Sequence, residues 1–141
     1  MNNKINLEIA KEIIAGAEEE AKRIGVSMVI SVLDEGGNLI AIHRMDDAWL
    51  ASIDIAQNKA WTSVALKMPT SNLADATVPA AELYGLNTTN NGRLVVFGGG
   101  IPLVIDGRVV GAVGVSGSTV PNDVQVAEAA VNAFNSKFSL V

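Results

Sequence analysis

Apolar residues return at every third or fourth position near the start of the chain. Ile9, Ile13, Ala17, Ala21 and Ile24 fall on one side of a helical wheel, and Glu12, Glu18, Glu19, Glu20, Lys22 and Arg23 fill the others. Asn6 stands where an N-terminal cap is expected, and Gly25 where such a helix stops. The rhythm then changes. Residues 26–34 are rich in β-branched side chains and predict a strand, Glu35-Gly36-Gly37-Asn38 a turn, and residues 39–45 a second strand completing a hairpin. A second helix is predicted over residues 51–66, with Ile55, Ala56, Lys59, Ala60 and Ser63 on one face, ended by Met68-Pro69-Thr70.

Residues 70–93 follow no period. Pro79, Gly85, Asn87, Asn90, Asn91 and Gly92 break any long element, and a loop of this length in a small domain is often functional. Three further strands are predicted over residues 94–97, 101–105 and 108–116, the last two joined by an Asp106-Gly107 turn. In the last strand Val109, Val113 and Val115 alternate with Val110, Ala112, Gly114 and Ser116, so one face is bulky and the other small. A helix or a ligand fits close on the small face. A final helix runs from about Pro121–Asp123 to Phe138, with Ala127, Ala130, Val131, Phe134 and Phe138 as its stripe. The order predicts one α+β domain over residues 1–141, with a central five-stranded antiparallel sheet.

Composition narrows the function classes. The chain is 49% hydrophobic and only 18% charged, which predicts surface buried between subunits of a homo-oligomer. A formal charge of -5 argues against nucleic acid and anionic membranes as partners. There is no cysteine, and the N-terminus shows neither a signal peptide nor a spanning segment, so a cytoplasmic setting is expected.

Candidate chemistry is sparse. The single histidine, His43, lies on the second strand, either as a half-buried structural residue or as a proton donor or haem-iron ligand. Arg44 suits a bidentate grip on a ligand carboxylate, or an ion pair with Asp46 at the strand end. Asp46 and Asp47 are also placed to complement the next helix. Lys59 sits in an apolar helical run. Pattern slightly favours a surface position; if turned inward it needs a carboxylate, from Asp46 or a bound ligand. Gly98, Gly99 and Gly100 strip the side chains from a stretch of backbone, so a flat ligand or a neighbouring element can approach it. The cluster is no phosphate loop, because it opens no helix and no Gly-Lys-Ser/Thr follows. Ser116 and Ser118 lack the spacing of a nucleophile elbow.

Several segments taken in order resemble one family: Asp34-x-x-Gly37, His43-Arg44-Met45-Asp46-x-Ala48, Ala56-x-x-Lys59-Ala60-x-Thr62, Gly98-Gly99-Gly100-Ile101-Pro102-Leu103, and Val110 through Gly117, with Asp123 and Ala127 continuing the pattern. This set is similar to the GlcG/HbpS-like, or haem-degrading domain, family, which also supplies the C-terminal part of PduO-type proteins of diol and glycerol utilisation. The chain departs from that pattern at Asp47, where glycine is usual, and at Trp61 and Ser63. The resemblance implies a profilin-like or PAS-like α/β/α sandwich and a homo-oligomer. It also implies an association with glycolate or cobalamin-dependent diol metabolism, and haem or another tetrapyrrole as the ligand. On that reading Arg44, Asp46, Lys59 and Gly98 to Gly100 bind the ligand, and His43 is the candidate for its iron. Two other readings stay open. One is an enzyme acting on a small hydroxy acid, aldehyde or tetrapyrrole, with Lys59 and Asp46 in proton transfer; the other is a structural or accessory subunit.

Overall fold

The polar start of the chain turns into a helix at Asn6, whose side-chain oxygen accepts the Ile9 N–H at 2.8 Å. This helix, α1, spans Leu7–Ile24 and ends on Gly25 in the left-handed conformation (φ 76°). The computed structural model describes residues 4–138. Within them follow β1 (Val29–Asp34), β2 (Leu39–Arg44), α2 (Ala51–Leu66), a 3₁₀ turn at Thr70–Leu73, β3 (Gly100–Ile105), β4 (Arg108–Ser116) and α3 (Val120–Phe138). Both hairpins, the long second helix and the final helix form as the pattern predicts.

The sheet has four strands, in the order β2-β1-β4-β3, with every neighbour antiparallel. The expected fifth strand at residues 94–97 is not formed. There the Val95 amide donates to Thr62 Oγ1 of α2 at 3.0 Å instead of joining a ladder. The backbone is then turned by Gly99, at φ 127°, before β3 begins. The short apolar run is a strap across α2, not an edge of the sheet.

Alternation decides which helix covers which face. Ile30 and Val32 of β1 and Val113 and Val115 of β4 join the main core with α1 and α3. The opposite face carries small residues and receives α2. Ser31 Oγ donates to the Ala56 carbonyl at 2.9 Å, and Ser116 Oγ pairs with Ser52 Oγ at 3.0 Å. A Cβ at Gly114 would collide with the Ala56 carbonyl oxygen and stand 2.7 Å from the Ala60 nitrogen. The small face predicted for the last strand therefore seats a helix backbone, and the result is a three-layer α/β/α sandwich.

Residues 74–92 are different. None is buried and most are exposed, and their hydrogen bonds run to one another, to the preceding 3₁₀ turn or to the adjoining Arg93 amide, as in Thr77 Oγ1 to Leu73 O and Leu83 N to Ala76 O.

The seat of α2 is open to a direct test. Gly114→Ala is expected to lose about 1–3 kcal/mol of stability, because the helix must lift off the sheet. Equilibrium urea unfolding of the variant beside the parent measures it, and an unchanged midpoint would contradict the packing described.

Candidate functional site

The structure divides the candidate residues into two groups. The register sets Arg44 beside Val29 and Val29 beside Ser116, while the Val115 amide donates to Gly99 O at 2.9 Å. All of them therefore lie at one end of the sheet. His43, Arg44 and Asp46 are at the β2 edge; Lys59 and the three glycines are at the β3 edge. The two edges are three strand spacings apart, roughly 14 Å.

At the β2 edge, successive residues point to opposite faces. His43 turns toward α1, where its Nδ1 lies 3.1 Å from Glu18 Oε2. The imidazole is half exposed, at 50%, and the carboxylate is the better covered of the two. Arg44 turns toward α2, and its Nε donates to the Ala48 carbonyl at 3.1 Å. Among the described residues Arg44 has no ion-pair partner, so the expected pair with Asp46 is not formed. Arg44, Asp46 and Asp47 line a shallow depression together. Neither aspartate caps α2, whose first residue follows Leu50 with no side-chain cap. Asp47 takes a left-handed φ of 68°, which accounts for the glycine usual at that position in the resembling family.

At the β3 edge, Lys59 is not a surface residue. Its side chain is fully buried (0% exposed). The ammonium donates to Val115 O at 2.8 Å and to Asp123 Oδ2 at 2.9 Å, and it sits 5.0 Å from the centre of the Phe97 ring. Its carboxylate is thus Asp123, from the first turn of α3, and not Asp46. The Ser118 amide holds the other Asp123 oxygen at 3.0 Å. Burial pulls the Lys59 ammonium below its ordinary pKa, and the neighbouring Asp123 opposes that shift. Burial likewise pushes the Asp123 carboxyl up, against the pull of Lys59. A helical pattern cannot reveal such a partner 64 residues away; the signal available was a lone lysine in a run of small apolar residues.

Two of the three glycines are explained by this lysine. A Cβ at Gly99 would stand 2.6 Å from Lys59 Nζ, and one at Gly100 would meet the Lys59 carbonyl. A Cβ at Gly98 would meet Val124 at 2.6 Å. The bare backbone lets α2 and α3 close on it. One side stays open, where Gly99, Gly100 and Ile101 face Val124 and Val131 across a cleft of about 500 Å³. His43, Arg44 and Lys59 do not line it.

This three-layer sandwich on an antiparallel sheet defines a class of small α/β/α domains, and comparison with known proteins narrows it to one family. Residues 5–132 match the family model described as haem degrading protein HbpS-like, and the chain belongs to that family. It is 47% identical over 131 residues to a 15.0 kDa protein from the dhaT-dhaS intergenic region of Citrobacter freundii, covering 93% of this chain and 92% of that one. It is 40% identical to the corrinoid adenosyltransferase PduO of Salmonella typhimurium over 88% of this chain, but only 37% of that longer protein. The crystal structure of the PduOC:heme complex superposes with a TM-score of 0.89 at 38% identity, covering 92% of this chain and 94% of that one.

The buried pair sets its own pH linkage. In unfolding, Lys59 regains its ordinary value of 10.5. Between its folded value and that limit the unfolded chain binds more protons, so stability rises with pH there. Asp123 acts in the opposite sense, favouring the folded state as pH falls from its raised value toward 3.8. Asp123→Asn is expected to cost about 3–5 kcal/mol at neutral pH, because it strands a buried ammonium. Lys59→Met with Asp123→Leu should restore most of that loss and flatten both pH arms. Denaturant titrations across pH check this, and additive losses in the double variant would refute the pairing.

Proposed function

We propose that this protein binds haem or a related iron tetrapyrrole at the β2 edge, with His43 as the protein ligand to the metal. The observation that supports it most is the contact between His43 and Glu18. With Nδ1–H donating to that carboxylate, Nε2 keeps its lone pair, on a ring that is half exposed. Metal-binding histidines are commonly held this way, the carboxylate fixing the tautomer and raising the basicity of the free nitrogen. Among the described residues no group of three His, Asp or Glu converges to hold a bare metal ion. A porphyrin brings four nitrogens of its own and asks the protein for only one or two more ligands.

Arg44 follows His43 at the strand end, on the other face of the sheet and with no acid of its own, and would be the cation for a carboxylate of a ligand that wraps the β2 edge. Asp46 lies at the rim of that depression. On this reading Lys59 and Gly98, Gly99 and Gly100, at the opposite edge of the sheet, serve the packing of the fold and not the ligand. A porphyrin on His43 would leave one face uncovered by a single protomer, which favours a homo-oligomer in which a second copy covers it. No helix among the described residues is long and apolar enough to cross a membrane. The kinship with PduO supports a setting in diol or glycerol utilisation, in the cytoplasm. The proton-transfer reading has Lys59 buried beside a carboxylate, as it requires, but that carboxylate is Asp123 and not Asp46, and Lys59 does not line the open cleft.

Haemin titration followed at the Soret band tests the proposal. The parent should give a saturable shift at micromolar protein, His43→Ala should lose it, and Glu18→Gln should weaken binding by about 10–100-fold. Light scattering on the loaded protein should give a mass above that of one chain. No shift in the parent, or an equal shift in His43→Ala, would overturn the assignment.

A further inference from the structure

The cleft at the β3 edge is a second place where a ligand fits, at the opposite edge of the sheet from His43. We infer that it binds a small flat molecule carrying one positive charge, such as an aromatic amidine or amine. Its size, about 500 Å³, lies within the range of small-molecule sites. Its floor is the backbone of Gly99 and Gly100, with no side chain standing above it. Its walls are apolar, from Ile101 on β3 and from Val124 and Val131 on α3.

The charge of the ligand follows from the groups around that apolar slot. Val124, Glu128 and Val131 recur at positions i, i+4 and i+7 of α3, so the Glu128 carboxylate is on the same stripe as the two valines. Glu128 is the one ionised side chain lining the cleft, and it has no ion-pair partner among the described residues. No cation lines the slot. The Lys59 ammonium lies behind Gly99 and is neutralised by Asp123. That same aspartate occupies the first turn of α3, where the helix would otherwise favour an anion. Ser71 and Asn132 add neutral hydrogen-bonding groups at the mouth. An anionic ligand would meet only Glu128; a cationic one completes it.

Three isosteric probes separate the possibilities: benzamidine, benzamide and benzoate, each titrated at millimolar concentration into the ¹⁵N-labelled full chain. Benzamidine is expected to shift the amides of Gly99, Gly100, Ile101 and Val131 saturably, benzamide weakly and benzoate not at all. Glu128→Gln should weaken benzamidine about tenfold or more, as the loss of a charge-assisted hydrogen bond implies. Val131→Trp, which fills the slot, should abolish binding while the rest of the spectrum stays folded. The haemin titration of Glu128→Gln should match the parent, so failure of the haem site and failure of this one are distinguishable. Equal binding of benzoate and benzamidine, shifts that persist in both variants, or no shift with any probe would overturn the inference.

Discussion

Lys59 is the point on which the rest of the domain closes. Its side chain leaves α2 on one face of the sheet and ends on Asp123 of α3, which packs on the other. On the way it binds the end of β4 through Val115 O. One ammonium therefore ties three layers together at the mouth of the β3–β4 hairpin. Such a pair adds little net stability, because both ions lose their water; what it adds is a single allowed arrangement, since neither charge tolerates being left alone. The glycines follow from it. The chain beside the ammonium has no room for side chains, and Gly99 and Gly100 are the residues that fit.

The same constraint shapes both candidate sites. Lys59 is consumed inside the fold, and the cation next to His43 on the β2 edge is Arg44. The β3 edge keeps an open slot whose ionised lining is Glu128 alone. The two candidate sites are thus separated by the width of the sheet.

Much of this was readable from the residues, and the exceptions have physical causes. The helix from Asn6 to Gly25 carries local signals at both ends, as does the Asp106-Gly107 hairpin, so each was legible. The alternation in residues 108–116 announced a small face, and α2 occupies it. The run at 94–97 misled because four apolar residues next to glycines read alike whether they pair with a strand or lie across a helix; the Thr62 hydroxyl decides between these, and it is 33 residues away. The partners of His43 and Lys59 were hidden for a related reason. Glu18 stands in a run of acids on the outer faces of the first helix, and Asp123 stands at the predicted start of the last one, where nothing in the spacing points back to Lys59. Long-range pairing of charges leaves no period in a sequence.

Residues 74–92 carry a different consequence. Since their hydrogen bonds stay within the segment and the residues that flank it, no strand or long helix loses a bond if the segment changes length. Lengthening a flexible connection costs only about 0.6 kcal/mol per doubling. This stretch is therefore where related chains can diverge without refolding the sandwich, and where an epitope or fluorophore can be grafted while both edges of the sheet stay as they are.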